Sequence, residues 1–349
     1  MNTATSKILG LGRAAIHDYA VGVVLLAVCA YLAIRSPQFS TASNVSNVLD
    51  QVSMIGIITM GMAILLVSAN FDLSIGGMAC LSSVVIAKVA NAEGVAAGVV
   101  VGVGVAVLLG ALNGLIVTVL RVNSLVATLG TGLAYSGMAL LLSNNTAITI
   151  ESTSLSDFMS TRALGVSLPA YLFAAVIAVS AWYLHVTVAG QQTFAVGGNA
   201  EAARYAGVRV SLIRFIPFVL TGLFVGIASV ILTGLLGGGV PTAAAAWPLQ
   251  VVAGAVVGGI SIAGGRGTIA MGVLGVLLIG VMNNGLNLLN FDAAYQNITT
   301  GTILVVAVAI DAALQASWRG RPAVVSDQPQ GRPVVDTAPP HVLGAQRQS

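Results

Sequence analysis

The side chain best suited to take part in chemistry is that of Asp72, which lies between two long apolar runs in Asn70-Phe71-Asp72-Leu73-Ser74. If these runs cross a membrane, a carboxylate that faces lipid is costly. It must therefore lie at a helix end, accept hydrogen bonds or face a cavity. Asp72 and Ser74 could accept the free amide hydrogens at the start of the next helix. Asp72 could instead contact a polar solute, together with Asn70, Phe71 and Ser74, and the sequence leaves both roles open.

Neutral polar side chains recur along the apolar runs. The candidates for a polar passage are Asn113, Thr128, Thr131, Asn283, Asn284, Asn287 and Thr299. Amides and hydroxyls can hydrogen-bond a neutral, hydroxyl-rich solute without burying a charge. The alternative for any one of them is an interhelical hydrogen bond, which is common in membrane bundles. Lysine and arginine stay near the ends of the runs, which argues against a strongly charged solute.

The sequence offers no enzyme chemistry. We find no metal-ligand spacing and no nucleophile–base pair, and the two cysteines, Cys29 and Cys80, lie apart inside apolar runs. A disulfide is therefore not expected. The phosphate-binding pattern Gly-x-x-x-x-Gly-Lys-Ser/Thr is absent from the sequence, so this chain is not an ATPase. It is expected to bind no metal and no cofactor of its own.

The composition predicts an all-α integral membrane protein. Of the 349 residues, 57% are hydrophobic and 7% charged, and the mean hydropathy is +0.96. A soluble domain would carry about 25% charged residues. The 41 glycines suit close helix packing in lipid, whereas a β-barrel would show alternating strands and aromatic girdles.

Ten apolar runs are long enough to cross a bilayer. They cover 17–34, 47–67, 73–90, 95–119, 124–143, 168–187, 212–236, 248–263, 268–289 and 297–316. They predict a cytoplasmic N-terminus over 1–16, a transmembrane domain over 17–318 and a disordered cytoplasmic tail over 319–349, where Pro, Gln, Gly and Asp mix without periodicity. With both termini inside, eleven of the fourteen basic residues fall on the cytoplasmic side.

A weak internal repeat divides these runs into two halves of five. Asn113-Gly114-Leu115 recurs as Asn284-Gly285-Leu286 at an offset of 171 residues. The same offset maps Thr128, Gly130, Thr131 and Leu133 onto Thr299, Gly301, Thr302 and Leu304. Chance within a Leu-, Gly- and Thr-rich sequence is the alternative. Because five is odd, the halves would be inverted, which is typical of transporters that bind solute at the repeat interface.

A short polar helix is predicted in the cytoplasmic loop over about 188–211. Asn199 is a good N-cap, and Glu201 follows in the first turn, where the helix dipole favours an anion. Ala202 and Arg204 continue the helix, and Gly207 ends it.

This loop resembles the coupling loop in permease subunits of bacterial ABC importers, since Glu201-Ala202-Ala203 is followed after three residues by Gly207. The stretch 194–208 is similar to the version in the ribose/xylose-type, or monosaccharide, branch of that family. Three further blocks resemble the same branch: 71–76, 113–131 and 257–267. The chain departs from it at 68–74, where Gly-Gly-Ile-Asp-Leu-Ser is usual, and at 237–246, where Gly-x-Gly-x-Glu-Leu is usual.

The resemblance implies several partners in a bacterial plasma (inner) membrane. These are a second permease copy or a sister permease, separate ATP-binding subunits that use ATP and Mg, and an extracytoplasmic solute-binding protein. Membrane lipid would surround the chain, and nucleic acid is not expected. The ATPase-coupling residues implied are Gly198, Asn199, Glu201, Ala202, Arg204 and Gly207. The solute implied is neutral and polyhydroxylated, such as a monosaccharide or polyol.

Other classes of protein remain open from the sequence. A secondary transporter driven by an ion gradient could also have inverted repeats, but proton coupling needs an ionisable relay, and only Asp72 is a candidate. A channel or a membrane scaffold would need no coupling loop.

Overall fold

The computed structural model describes residues 21–319 as a bundle of thirteen helices with four two-residue strands. The predicted N-terminal segment 1–16 lies outside the described residues, as does the predicted tail beyond Arg319. The helices are α1 (Val21–Arg35), α2 (Ala42–Val67), α3 (Ile75–Glu93), α4 (Val95–Thr118), α5 (Ser124–Ser143), α6 (Ser154–Met159), α7 (Leu168–Val186), α8 (Val188–Gly198), α9 (Ala200–Tyr205), α10 (Val210–Leu236), α11 (Trp247–Val257), α12 (Ile269–Leu288) and α13 (Ala293–Arg319).

Seven helices of the described part are long and apolar enough to cross a membrane, namely α2, α3, α4, α5, α7, α10 and α12. Three shorter apolar helices accompany them: α1, α11 and the Ala294–Ala309 part of α13. The all-α membrane class predicted from composition is therefore confirmed. Both cysteines are free, as expected.

The predicted span 248–263 is wrong in its second half. The α11 helix ends at Val257, and residues 258–268 form a non-helical loop. The apolar run continues through Ile260 and Ile262, but Gly259, Gly264 and Gly265 adopt left-handed backbone conformations that a helix does not allow.

The strands lie at one end of the bundle, which we call the hairpin end. Strand β1 (Ile148–Thr149) pairs antiparallel with β4 (Gly238–Gly239), and β2 (Arg162–Ala163) pairs antiparallel with β3 (Val166–Ser167). The connection between α5 and α7 is therefore partly ordered by β-pairing and by α6. Helix α7 leads from this end to the other, which carries α8 and α9 and which we call the α9 end.

The centre of the bundle consists of α2, α3 and α10, which bury most of their residues, whereas most residues of α4, α5 and α7 are exposed or only half-buried. Helix α10 packs on α4, α2 packs on α12, α3 on α4 and α11 on α12. Gly110 and Gly222 allow the close contact of α4 with α10. A Cβ on Gly222 would come within 2.6 Å of the Ala106 carbonyl oxygen. Close packing of this kind holds helices together in lipid.

Candidate functional site

The connection between α2 and α3 is a buried, non-helical segment, residues 68–74. Helix α2 ends in a Schellman motif, in which the Ala69 amide donates to the Leu66 carbonyl and the Asn70 amide to the Leu65 carbonyl. Ala69 therefore adopts a left-handed conformation, with φ 59°. Asn70, Asp72 and Ser74 are all buried, so the segment needs hydrogen-bond partners for its polar groups.

Asp72 is fully buried and receives its hydrogen bonds from neutral groups. Its Oδ1 accepts from the Ser74 amide at 2.9 Å and from the Ser74 hydroxyl at 2.6 Å. Asn113 Nδ2 donates to the Ser74 hydroxyl at 2.7 Å and lies 3.4 Å from Asp72 Oδ2. Ser74 is the N-cap residue of α3, but its side chain makes no capping hydrogen bond. Of the two acceptors considered for the start of α3, Asp72 accepts the amide hydrogen of the N-cap residue, whereas the Ser74 hydroxyl bonds Asp72 and accepts no amide hydrogen of the helix.

Helix α5 also forms hydrogen bonds with the 68–74 segment. The Ser124 hydroxyl accepts from the Phe71 amide at 3.2 Å, and the Thr128 hydroxyl accepts from the Leu73 amide at 3.0 Å. Two turns further along α5, Tyr135 Oη donates to Asn113 Oδ1 at 3.1 Å. Sequence reasoning missed Ser124 and Tyr135. Their position on one face of α5, four and seven residues from Thr128, is the signal that could have found them.

We call Asp72, Ser74, Asn113, Thr128 and Tyr135 the Asp72 cluster. In this conformation every member bonds another part of the chain, so these groups serve as interhelical hydrogen bonds. The arrangement ties α4 and α5 to the entry of α3.

The other predicted pathway residues lie elsewhere. Asn284, the repeat mate of Asn113, lies toward the hairpin end and exchanges two hydrogen bonds with Asn44 of α2, at 2.8 and 3.0 Å. Asn283 is buried, whereas Asn287 is exposed and accepts from Gln296 at 2.6 Å. The structure therefore does not bring the candidate residues into one site. It places them in separate parts of the bundle.

Thr131 and Thr299 are half-buried and belong to helices with open faces. On α5 and α13, a Cβ added to Gly130 or to its repeat mate Gly301 would meet no atom within 4 Å. A groove on α13 is lined by Asn297, Ile298, Gly301, Thr302, Val305 and Val306. These two helices thus leave polar and small residues uncovered on a surface that is otherwise apolar.

The α9 helix forms as the sequence predicts. Asn199 caps it by accepting from the Ala202 amide at 2.9 Å. The helix ends in a Schellman motif, with Gly207 at φ 84°, the Gly207 amide bonded to the Arg204 carbonyl and the Val208 amide to the Ala203 carbonyl. Four of the predicted coupling residues, Glu201, Ala202, Arg204 and Gly207, are exposed, as are Gly198 and Asn199.

A small core separate from the main one supports α9. It contains Val196 of α8, Ala203 of α9, and Val210 and Ile213 of α10, all buried. Tyr205 points away from this core and is 88% exposed. Sequence reasoning missed Tyr205, although an aromatic residue beside two charged ones on so short a helix is itself a signal for a protein contact.

Backbone contacts join the α9 end to the α2–α3 connection. Gly197 and Gly198, at the end of α8, pack on Gly264 and Gly265 of the α11–α12 loop, and a Cβ on Gly265 would come within 2.8 Å of the Gly198 Cα. The Gly265 amide donates to the carbonyl of Val67, the last residue of α2, at 2.9 Å. The loop that carries α9 thus touches the end of α2, directly before the segment that carries Asp72.

The fold is that of a multi-helix membrane protein with a short exposed helix at one end, and comparison with known proteins identifies its family. Residues 44–308 match the family described as branched-chain amino acid transport system / permease component. The chain belongs to this family of ABC-importer permeases. It is a multi-pass membrane transport component rather than an enzyme.

Among curated proteins, the chain is 34% identical to the ribose import permease protein of Escherichia coli K12, over 83% of this chain and 92% of that protein. It is 35% identical to the L-arabinose transport system permease protein of the same strain, over 86% and 92%. It is 32% identical to the D-allose transport system permease protein of that strain, over 84% and 91%. No solved structure matches the chain.

Proposed function

We propose that this chain is the membrane-spanning permease of an ATP-driven importer that moves a neutral polyhydroxylated solute, such as a monosaccharide or a related polyol, into the cytoplasm. The observation that carries the proposal is the similarity, over more than four-fifths of the chain, to permeases named for ribose, L-arabinose and D-allose. The amide and hydroxyl side chains of the apolar helices suit such a solute, because they bind hydroxyls without a buried charge.

The proposed topology has ten crossings in two inverted halves, with both termini in the cytoplasm. Helix pairing supports it. An offset of 171 residues carries the α2–α12 contact onto the α10–α4 contact, and the α3–α4 contact onto the α11–α12 contact. The helices α1 and α11 and the Ala294–Ala309 part of α13 complete the count. In this topology the α9 end is cytoplasmic and the hairpin end faces outward.

The proposed solute path follows the open faces of α5 and α13. Thr131, Thr299 and Thr302 offer hydroxyls there, and Gly130 and Gly301 leave room. A second permease copy would cover these faces and close the path. The two buried clusters, around Asp72 and around Asn284, then act as supports that fix the helices on either side.

The α9 helix is the proposed contact with the ATP-binding subunit. Glu201 and Arg204 provide exposed charges of opposite sign, and Tyr205 provides an exposed aromatic anchor. Movement of α9 would pass through Gly197 and Gly198 to Gly265 and Val67, and from there to α5 through Ser124 and Thr128. This chain of contacts suits rocking of the halves in alternating access.

The test measures sugar uptake into proteoliposomes. Their membranes contain the permease and its co-purifying ATP-binding subunit, and the solute-binding protein is added to the outside. Radiolabelled ribose, L-arabinose and D-allose are supplied in turn, with ATP and Mg inside. We expect uptake of at least one sugar that needs ATP and persists after ion gradients are collapsed. ATP-dependent uptake of a branched-chain amino acid, with no sugar transported, would overturn the proposed solute class.

A Glu201→Lys change tests the coupling role in the same assay. We expect uptake to fall while membrane insertion and thermal stability stay unchanged, because Glu201 is exposed and makes no contact that holds the fold. Normal uptake by this variant would contradict the assignment of α9.

A further inference from the structure

The β2–β3 hairpin ends in a fully exposed leucine. Its two-residue loop is Leu164-Gly165, with φ 52° and 79°, as in the type I′ turn. That turn favours Asn or Gly at its first position, because a left-handed backbone strains a residue with a branched apolar side chain. Leu164 is nevertheless 98% exposed, so no contact within the chain offsets the strain.

The hairpin is fixed to the first turn of α7. Tyr171 Oη donates to the Ala163 carbonyl, the residue before Leu164, at 2.8 Å. The Leu168 amide donates to the Thr161 carbonyl at 3.0 Å, and the Arg162 guanidinium donates to the Ser46 hydroxyl of α2. The hairpin is therefore held rigidly beside the ends of two spanning helices.

Tyr171 also shows which side of α7 the hairpin overlies. It belongs to an exposed stripe that continues along the helix through Ala175, Val179, Trp182 and Val186. Unlike α5 and α13, helix α7 contains no glycine or threonine that is left uncovered, and an exposed stripe of purely apolar and aromatic residues on a spanning helix faces acyl chains. Helical side chains lean toward the N-terminus, so the Tyr171 hydroxyl reaches the water boundary of that same stripe, where tyrosine is enriched.

We propose that the β2–β3 hairpin is an interfacial lipid anchor, in which Leu164 enters the acyl-chain boundary of the leaflet at the hairpin end. The continuity of the hairpin with the lipid-facing stripe of α7 identifies phospholipid as the occupant. Anchoring would hold the outer end of α7 in the bilayer while other helices move. The inference needs α7 to span the membrane but does not depend on which solute is carried.

The test uses a permease in which Cys29 and Cys80 are replaced and Leu164→Cys carries an environment-sensitive fluorophore. Ser152→Cys, exposed in the same loop, is the aqueous control, and Val179→Cys, within the α7 stripe, is the lipid control. In nanodiscs we expect nitroxide-labelled lipid to quench the label at position 164 severalfold more than at position 152, and aqueous iodide to do the reverse. Quenching by iodide equal to that at position 152 would overturn the proposal.

A second measurement keeps the native cysteines. A photoreactive benzoyl-phenylalanine replaces Leu164 in the native membrane, and adducts are identified by mass spectrometry. Adducts to phospholipid support the anchor. Adducts to another protein, such as the solute-binding protein, or no adduct at all, would overturn it. Either result leaves the proposed sugar transport untouched, since uptake is measured separately.

Discussion

The Asp72 cluster and the α9 helix each contain a carboxylate and a tyrosine, yet they differ in whether these polar side chains are bonded within the chain. Asp72, Ser74 and Asn113 are buried and bond one another, whereas Glu201, Arg204 and Tyr205 of α9 are exposed. The comparison teaches that polar character alone does not mark a functional contact. In the described part of the chain, the groups that bond each other support the fold, and the exposed groups on a rigid element are the ones available to a partner.

The largest effect on stability is expected for Asp72→Ala. The change leaves the Ser74 amide and the Ser74 hydroxyl without their acceptor in a buried site, whereas Asn113 Nδ2 still donates to the Ser74 hydroxyl. At about 1–3 kcal/mol for each unsatisfied group, the free energy of unfolding should fall by roughly 3 kcal/mol or more. Thermal unfolding in detergent measures this loss. Asp72→Asn, which keeps an acceptor oxygen, should lose less. Unchanged stability with weakened sugar uptake would instead place Asp72 in the solute path.

The next largest effect is expected for Gly197→Ala, which tests the link between the two regions. The new Cβ would press on the Val67 carbonyl and lie 2.7 Å from the Gly265 amide nitrogen. Overpacking against backbone should cost about 2 kcal/mol of unfolding free energy and reduce uptake strongly. Gly198→Ala is the matched control for stability, because its Cβ would meet nothing within 4 Å. Equal melting temperatures for the two variants would contradict the close contact.

A smaller loss is expected for Gly207→Ala. Space is open around this residue, so only its left-handed backbone resists a side chain, at a cost of about 1 kcal/mol. The α9 helix should fray at its C-terminus, which hydrogen exchange of the Val208 amide would detect. Gly207→Asn, which tolerates this conformation better, should protect that amide more than Gly207→Ala does.

The smallest change in stability is expected for Tyr205→Ala, under about 0.5 kcal/mol, because the side chain is exposed. Its effect should appear only with the partner, as weaker binding of the ATP-binding subunit and slower uptake, since exposed aromatic anchors carry much of the energy of protein contacts. Tyr205→Phe keeps the ring and should retain most of the binding. A Tyr205→Ala variant that binds and transports normally would remove this residue from the coupling surface.

Local signals made α9 predictable from sequence. Asn199 and Gly207 fix both ends of the helix through their neighbours, so no distant information is needed. The end of α11 was not predictable, because apolar residues continue through Ile262 and the break depends on several glycine conformations. Ser124 and Tyr135 were also missed, since their partners lie 53 and 22 residues away in sequence. The exposure of Tyr205 depends on how α9 sits on its small core.

The meeting of Gly197 and Gly198 with Gly265 and Val67 has a mechanical consequence. Side chains can absorb a displacement by changing rotamer, but main-chain atoms in direct contact have no such slack. If α8 shifts, the end of α2 is expected to shift with it, because no side chain lies between the two backbones at this contact. In the proposed importer, movement at the α9 end would then be coupled directly to movement of α2.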